Sequence, residues 1–262
     1  MNALRFCAFA LAIVLTAPAV TTRAQQKPLS PTETMLAFYK LLREQRYREG
    51  FDLSVFREAV EGLGDEELAE LVPDFQQTFS DIPEKIDVKG EQAGTDAATV
   101  FAKFTADGDV QEVSLVREDG RWLVGDRESL EQVRQERNAF FFNARIRVNH
   151  NEVFQLMKKI VGSEDIHFKR AKAFGDLTEL VAQEGLPADL KDGETSGYKF
   201  VVNLTPDRQG YTVTAYPLRY GRTGQLSFYG DAKSIRGADA QGRPVDDQAP
   251  VLEANKFEDS GQ

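Results

Sequence analysis

The segment from Ser196 to Gly237 constrains the fold more than any other part of the chain, because apolar and polar residues alternate along it between turn-forming residues. Alternation with a period of two, bounded by Gly, Pro and Asp, is typical of half-buried antiparallel strands. We therefore predict three short strands here, at residues 198–203, at residues 211–216, and from Leu226 through the region of Ile235. This segment predicts a sheet, and it contains no catalytic motif.

Short motifs in and before this segment follow one another in a fixed order. They are A-R-I-R-V-N from Ala144, G-Y-x-F from Gly197, Y-x-V-x-A-x-P from Tyr211 and T-G-x-x-x-F from Thr223. Between roughly Phe140 and Pro250 the chain resembles the soluble domain of bacterial type IV pilins and type II secretion pseudopilins. The resemblance implies an antiparallel sheet packed on a long helix. The prepilin processing site and long apolar helix of those families do not precede Phe140, so filament assembly by the usual route is not expected.

The N-terminal half begins with a strong helix signal. A capping box and a proline in the first helical turn start a helix at Pro31, and apolar residues at helical spacing continue to Tyr47. Gly50 is expected to end this helix. Further helical segments are predicted over residues 51–60 and 65–79, where the acidic run at 65–67 suits the positive end of a helix dipole.

Four strands are predicted between Ile86 and Val124, because alternating runs are separated by Asp-Gly turns at 107–108 and 119–120. With T-x-x-x-F-Y-x-x-L from Thr34 and L-x-x-E-x-G-x-W from Leu115, residues 31–126 resemble the NTF2-like superfamily, including its secreted lumazine-binding-like members. The resemblance implies an α+β cone of helices on a curved antiparallel sheet. The candidate ligand-binding residues inside such a cone are Tyr39, Tyr47 and Trp122, and the alternative for a buried tyrosine is an ordinary core position.

The region from Asp126 to Lys172 is charged and predicted to be mostly helical, and it contains three adjacent aromatic residues, Phe140, Phe141 and Phe142. Three neighbouring residues cannot share one face of a helix. Part of the cluster must therefore be covered, either by another part of the chain, which is the favoured hypothesis, or by a protein partner that uses it as an interaction patch.

Residues 1–24 have the features of a secretory signal peptide. Arg5 precedes an apolar run over residues 6–20, and small residues flank Arg23 just before Gln25. We therefore expect a bacterial protein that is periplasmic or secreted, with an uncleaved N-terminal anchor as the alternative. Cleavage would remove Cys7, the single cysteine, and leave no disulfide and no stable membrane span.

Net charge narrows the classes of partner. The chain carries a formal charge of -10, and the first 24 residues contain two arginines and no acid, so the remainder carries -12. A strongly acidic protein is a poor partner for nucleic acid or for anionic lipid surfaces. A protein partner in the envelope, or a small-molecule ligand, remains the expectation.

No cofactor is predicted, because the sequence contains neither a phosphate-binding glycine motif nor a zinc-ligand spacing around His150 and His167. One candidate metal site is a calcium-binding loop after the last strands. Its candidate ligands are Asp231, Asp239, Asp246 and Asp247. Calcium requires six to eight oxygen ligands, and a solvated acidic loop is the favoured alternative.

Together these patterns predict an α+β protein in which an NTF2-like cone is followed by a long helix and a pilin-like antiparallel sheet domain. The predicted divisions are a signal peptide over 1–24, the cone over 30–126, the helix and sheet domain over 127–250, and a disordered tail over 251–262. The predicted function is that of an exported, non-enzymatic structural or interaction protein of the cell envelope, associated with a pilus or secretion system. The alternative is a small-molecule binding protein that uses the cone, and an enzyme in that cone is the least favoured hypothesis.

Overall fold

A computed structural model of the chain describes residues 28–183 and 185–253. The predicted signal peptide and residues 254–262 of the predicted tail lie outside the described residues. The fold is α+β, as the sequence predicts: helices and a four-stranded antiparallel sheet come first, then a long helical segment, then a five-stranded antiparallel sheet. Of the helices in the described part of the chain, none is both long and apolar enough to cross a membrane.

The first helix begins as predicted. In α1 (Pro31–Arg43), the Ser30 hydroxyl accepts a hydrogen bond from the Glu33 amide at 3.2 Å, and the Glu33 carboxylate accepts one from the Ser30 amide at 2.8 Å. The predicted end of this helix at Gly50 is wrong. The chain turns at Gln45, which has a φ of 58°, and Gly50 lies inside the next helix.

The short second helix, α2 (Tyr47–Phe51), explains that glycine. A Cβ at Gly50 would lie 2.9 Å from Cδ2 of Leu42, so the missing side chain lets α2 approach α1 closely. The remaining N-terminal helices are α3 (Arg57–Glu61) and α4 (Asp65–Thr78), which carries Pro73 within it.

The first sheet is an antiparallel meander. Its strands are β1 (Asp87–Ala93), β2 (Ala97–Lys103), β3 (Gln111–Glu118) and β4 (Arg121–Val124), in that order across the sheet. Backbone hydrogen bonds from the Val55 amide to the Val124 carbonyl and from the Val124 amide to the Leu53 carbonyl cover the β4 edge. We refer to residues 31–124 as the N-terminal module.

One helical segment connects the two sheets. It comprises α5 (Arg127–Glu136), a 3-10 turn (Arg137–Ala139) and α6 (Phe140–Ala171). Arg137 has a φ of 48°, which breaks the helical course between α5 and α6. The first turn of α6 packs in the hydrophobic core of the N-terminal module, whereas Val153, Met157 and Ile160 belong to a second core.

The second sheet follows a short helix, α7 (Leu177–Val181). Its antiparallel strands are β5 (Glu194–Thr195), β6 (Tyr198–Leu204), β7 (Tyr211–Pro217), β8 (Leu226–Gly230) and β9 (Ile235–Asp239). The third strand predicted in this region is in fact two strands, because the chain reverses after Asp231, whose carboxylate accepts hydrogen bonds from the amides of Lys233 and Ser234. We refer to residues 177–239 as the C-terminal module.

Candidate functional site

The three residues predicted to bind a ligand inside the N-terminal module have different surroundings. Tyr39 packs edge-on against Phe104, with ring centres 4.9 Å apart, and Tyr47 packs against Phe75 at 5.2 Å. Burial raises the pKa of both tyrosines, so their phenols stay protonated across the neutral range. Trp122 instead packs beneath the Arg117 guanidinium of β3, whose central carbon lies 5.6 Å from the centre of the tryptophan ring.

The interior of the N-terminal module is filled with apolar side chains. Its largest fully buried members, each at most 1% exposed, come from α1, α2, α4 and β3 and are Met35, Leu42, Phe51, Leu71 and Leu115. The tyrosines are part of this packing, which is the ordinary core role that the sequence left open. Trp122 is only partly buried, at the margin of the same core.

The phenylalanine cluster packs on the N-terminal module. Phe142 is 3% exposed and belongs to its core. The ring of Phe141 lies 4.9 Å from that of Phe75, and the ring of Phe140 lies 5.4 Å from that of Phe56. The protein itself therefore covers much of the cluster, and Phe142 is inaccessible to a partner.

An ionic network attaches the start of α6 to α4. The Arg145 guanidinium donates from Nε to Asp74 Oδ2 at 2.7 Å, from Nη1 to Glu70 Oε1 at 3.0 Å and from Nη2 to the Glu70 carbonyl at 2.8 Å. The Arg145 side chain is 12% exposed and that of Glu70 is 19% exposed. Because these groups are largely shielded from water, their attraction is stronger than that of a surface ion pair.

The loop between β7 and β8, residues 218–225, contacts α4 from the C-terminal module. Arg219 pairs with Glu70 at 3.0 Å, and Arg222 donates to Glu67 at 2.6 Å. The Arg222 guanidinium also lies 4.0 Å from the ring centre of Phe142, a cation–π geometry. The hydrogen bond from Arg222 is the main cause that lowers the pKa of the Glu67 carboxyl.

This loop is also attached to α6 by His150. Its Nε2 accepts hydrogen bonds from the amides of Gln225 at 3.0 Å and Leu226 at 3.1 Å, so the ring is neutral. Burial is the main cause that lowers its pKa from 6.5 to about 4. One residue earlier, the Asn149 side chain donates to the Thr223 carbonyl at 2.8 Å. We call this set of contacts, from α4 to α6 and the 218–225 loop, the junction.

A cleft opens beside the junction, between the C-terminal half of α4 and one face of α6. Its volume is about 520 Å³. Its apolar wall consists of Phe75 in α4, Phe79 directly after α4, and Phe141, Ala144 and the exposed Val148 in α6. Its charged groups belong to Asp74, Arg145 and Glu152.

The predicted calcium ligands each serve a local turn or contact. Asp239 Oδ2 accepts from the Tyr220 hydroxyl at 2.9 Å, and Asp246 and Asp247 accept from the backbone and side chain of Gln248. Asp231 caps the β8–β9 turn. Within residues 28–183 and 185–253, no three His, Cys, Asp or Glu side chains come together as a set that could hold a metal ion.

A buried carboxyl group lies further along α6. The side chain of Glu164 is 0% exposed; Oε2 accepts from the Gly175 amide at 2.8 Å, and Oε1 lacks a hydrogen-bond partner among the described residues. Burial is the main cause that raises its pKa from 4.5 to about 7. The other histidine, His167, contacts the Gln183 amide group nearby.

No sequence pattern indicates most of the junction. The local pattern around Glu67 predicts only an acid at a helix start, and its partner Arg222 lies 155 residues later in the chain. Only the helical spacing of acids at 67, 70 and 74, which places them near one face of α4, could have indicated a basic partner. Comparison with known protein families, with curated proteins and with solved structures finds no significant match for this chain.

Proposed function

We propose that this chain is an exported, non-enzymatic interaction protein of the bacterial envelope, which works beside a pilus or secretion system. In this proposal the N-terminal module is an NTF2-like domain that serves as a scaffold, and the C-terminal module is a pilin-like sheet domain. The observation that carries the proposal is the junction, in which three arginines from α6 and the 218–225 loop bind the acids of α4.

A fixed arrangement of two modules suits a protein that must present one surface to a partner. Preorganised surfaces bind with a smaller loss of conformational entropy than surfaces that must first become ordered. An exposed ion pair stabilises by only about 0–1 kcal/mol. The junction goes beyond such pairs, because Arg145 and Glu70 are mostly buried and Glu70 is shared by two arginines.

The filled interior of the N-terminal module supports a scaffold over a carrier. A small-molecule site is normally a concave pocket with a few inward polar groups. Here apolar side chains occupy the centre of the module, and the tyrosine rings pack against phenylalanines. The same packing gives no support to an acid–base site in this interior.

Reversible crosslinking in the exporting bacterium tests the proposal. A tagged full chain should enrich a reproducible set of envelope proteins that includes pilus or secretion components. The double variant Glu70→Ala/Arg222→Ala should enrich fewer of them, because it removes the ion pairs between the 218–225 loop and α4 and loosens the fixed arrangement of the modules. A matched control is Arg134→Ala, which removes ion pairs to Glu58 and Glu118 away from the junction.

Scattering measurements on the same purified proteins show whether the junction variant has lost its fixed arrangement. We expect a larger and broader distribution of interatomic distances for the double variant than for the wild type and the control. Enrichment of no envelope protein, or the same enrichment from a double variant that has visibly opened, would contradict the proposal.

A further inference from the structure

We propose that the cleft between α4 and α6 binds a small organic cation that has an apolar body, such as an aryl-alkyl amine. This inference concerns a second activity of the chain and does not depend on the envelope interaction proposed above. It is based on the size of the cleft, its aromatic walls and the charges at its margin.

The cleft has the dimensions and lining of a small-molecule site. Its volume of about 520 Å³ lies within the range of roughly 300–1,000 Å³ that is common for such sites. Residues 141, 144, 145, 148, 149 and 152 line it from α6 at spacings of three and four, so they form one stripe along about three helical turns. The cleft is therefore an elongated groove.

The apolar walls suit an aromatic or aliphatic body. Phe75 and Phe141 pack with ring centres 4.9 Å apart, and Phe79 and Ala144 continue the surface. Val148 is 53% exposed at this site, whereas the apolar residues before and after it in α6, Ile146 and Val153, are buried. A ligand that covered Val148 would remove this apolar surface from water.

The charges favour a cation. Among the described residues, Arg145 is the single basic residue that lines the cleft, and three of its N–H groups already bind Asp74 and Glu70. Two carboxylates line the cleft beside it, Asp74 and the exposed Glu152, so the net charge of the lining is negative. Phenylalanine rings can also attract a cation through their faces, and a ring face offers no such attraction to an anion.

Three probes that share one body separate these contributions. They are 3-phenylpropylamine, 3-phenylpropan-1-ol and 3-phenylpropanoate, titrated into the protein and followed by amide chemical shifts. We expect the amine to bind about fivefold more tightly than the alcohol and the carboxylate to bind most weakly. The shifted amides should cluster at residues 74–79 and 141–152.

Three variants locate the site. Val148→Arg should abolish binding of the amine and the alcohol, because the new side chain fills the groove and adds positive charge. Glu152→Gln should leave alcohol binding unchanged and reduce the preference for the amine to about twofold or less. The matched control Val110→Arg, at an exposed valine before β3, should bind all three probes as the wild type does.

Several results would overturn the inference. The first is failure of the amine to bind at concentrations up to about 10 mM, which corresponds to a binding free energy weaker than about 3 kcal/mol. The second is equal affinity for all three probes, and the third is a set of shifted amides that lies away from the cleft. Binding by a folded Val148→Arg variant with wild-type affinity would also overturn it. Amide spectra of each variant without probe show that the variant is folded, so a loss of binding can be assigned to the cleft.

Discussion

Replacement of Phe142 by alanine should destabilise the protein more than any other change in the phenylalanine cluster. The ring is 3% exposed, and it lies between the core of the N-terminal module and the Arg222 guanidinium, 4.0 Å from its centre. Full burial of a phenylalanine contributes roughly 1.5–3 kcal/mol. The cavity left behind brings the usual cost of Phe→Ala in a core to about 3–5 kcal/mol.

Two further variants divide this cost between burial and the contacts of the ring with the guanidinium groups of Arg222 and Arg145, which lie 4.0 Å and 5.5 Å from its centre. Phe142→Leu keeps most of the apolar volume and loses the aromatic face, so we expect a cost of about 1–2 kcal/mol. Phe140→Ala removes a ring that is only partly buried, and we expect a smaller effect than from Phe142→Ala, of about 1–2 kcal/mol.

Urea unfolding followed by tryptophan fluorescence measures these differences. Trp122 is the single tryptophan of the chain and lies in β4, so its signal reports on the N-terminal module. The change in unfolding free energy follows from the midpoint and the slope of each transition. A Phe142→Ala variant that unfolds within about 0.5 kcal/mol of the wild type would refute the packing argument, since surface substitutions have effects of that size.

The remaining predictions concern pH and export. The pKa of His150 is lowered from 6.5 to about 4, so the stability that its neutral form contributes is fully present above pH 6.5. We expect about 1–2 kcal/mol of it, after allowance for partial exposure, to be lost as the pH falls towards 4. In urea unfolding at a series of acid pH values, His150→Gln should lose stability less steeply with pH than the wild type, and the same steepness in both would contradict this. The pKa of Glu164 is raised from 4.5 to about 7, so its protonated form is favourable below pH 4.5 and this stability is lost as the pH rises through 7. The free energy of unfolding of Glu164→Gln should therefore exceed that of the wild type by about 1–3 kcal/mol near pH 8, whereas the two proteins should be equally stable near pH 4.5. If the variant and the wild type have the same stability at pH 8 as well, the burial argument is contradicted. N-terminal sequencing of the exported protein should begin at or near Gln25, and intact Met1 in a soluble cytoplasmic pool would exclude cleavage of the signal.

Local signals in the sequence predicted the elements that depend on near neighbours. The capping box at Ser30, the Asp-Gly turn at 119–120 and the alternation around Tyr198 and Tyr211 each act over a few residues, and the structure contains the helix, turn and strands that they predict. The second Asp-Gly signal, at 107–108, lies within a longer connection between β2 and β3. The same local rules failed at Gly50, where the glycine serves a contact with α1 instead of ending a helix.

The junction could not be predicted in this way, because its partners are far apart in sequence. An acid on an amphipathic helix is normally solvated, and Glu67 and Glu70 have that local pattern. Only the folded chain brings Arg219 and Arg222 to them, from a loop that follows β7. The cleft has the same origin, since α4 and α6 form its walls and a sheet separates them along the chain.

The 218–225 loop therefore has a structural role that loops rarely have. A surface loop usually tolerates change, because few of its groups are bonded to the rest of the protein. Here Arg222 donates a hydrogen bond to Glu67 of α4. The Thr223 carbonyl and the Gln225 amide form hydrogen bonds with Asn149 and His150 of α6. Because one short connection contacts both helices, a large movement of the C-terminal sheet relative to α4 would require bonds at this loop to break. The relative position of the two sheets thus depends on the loop as well as on the helix that joins them.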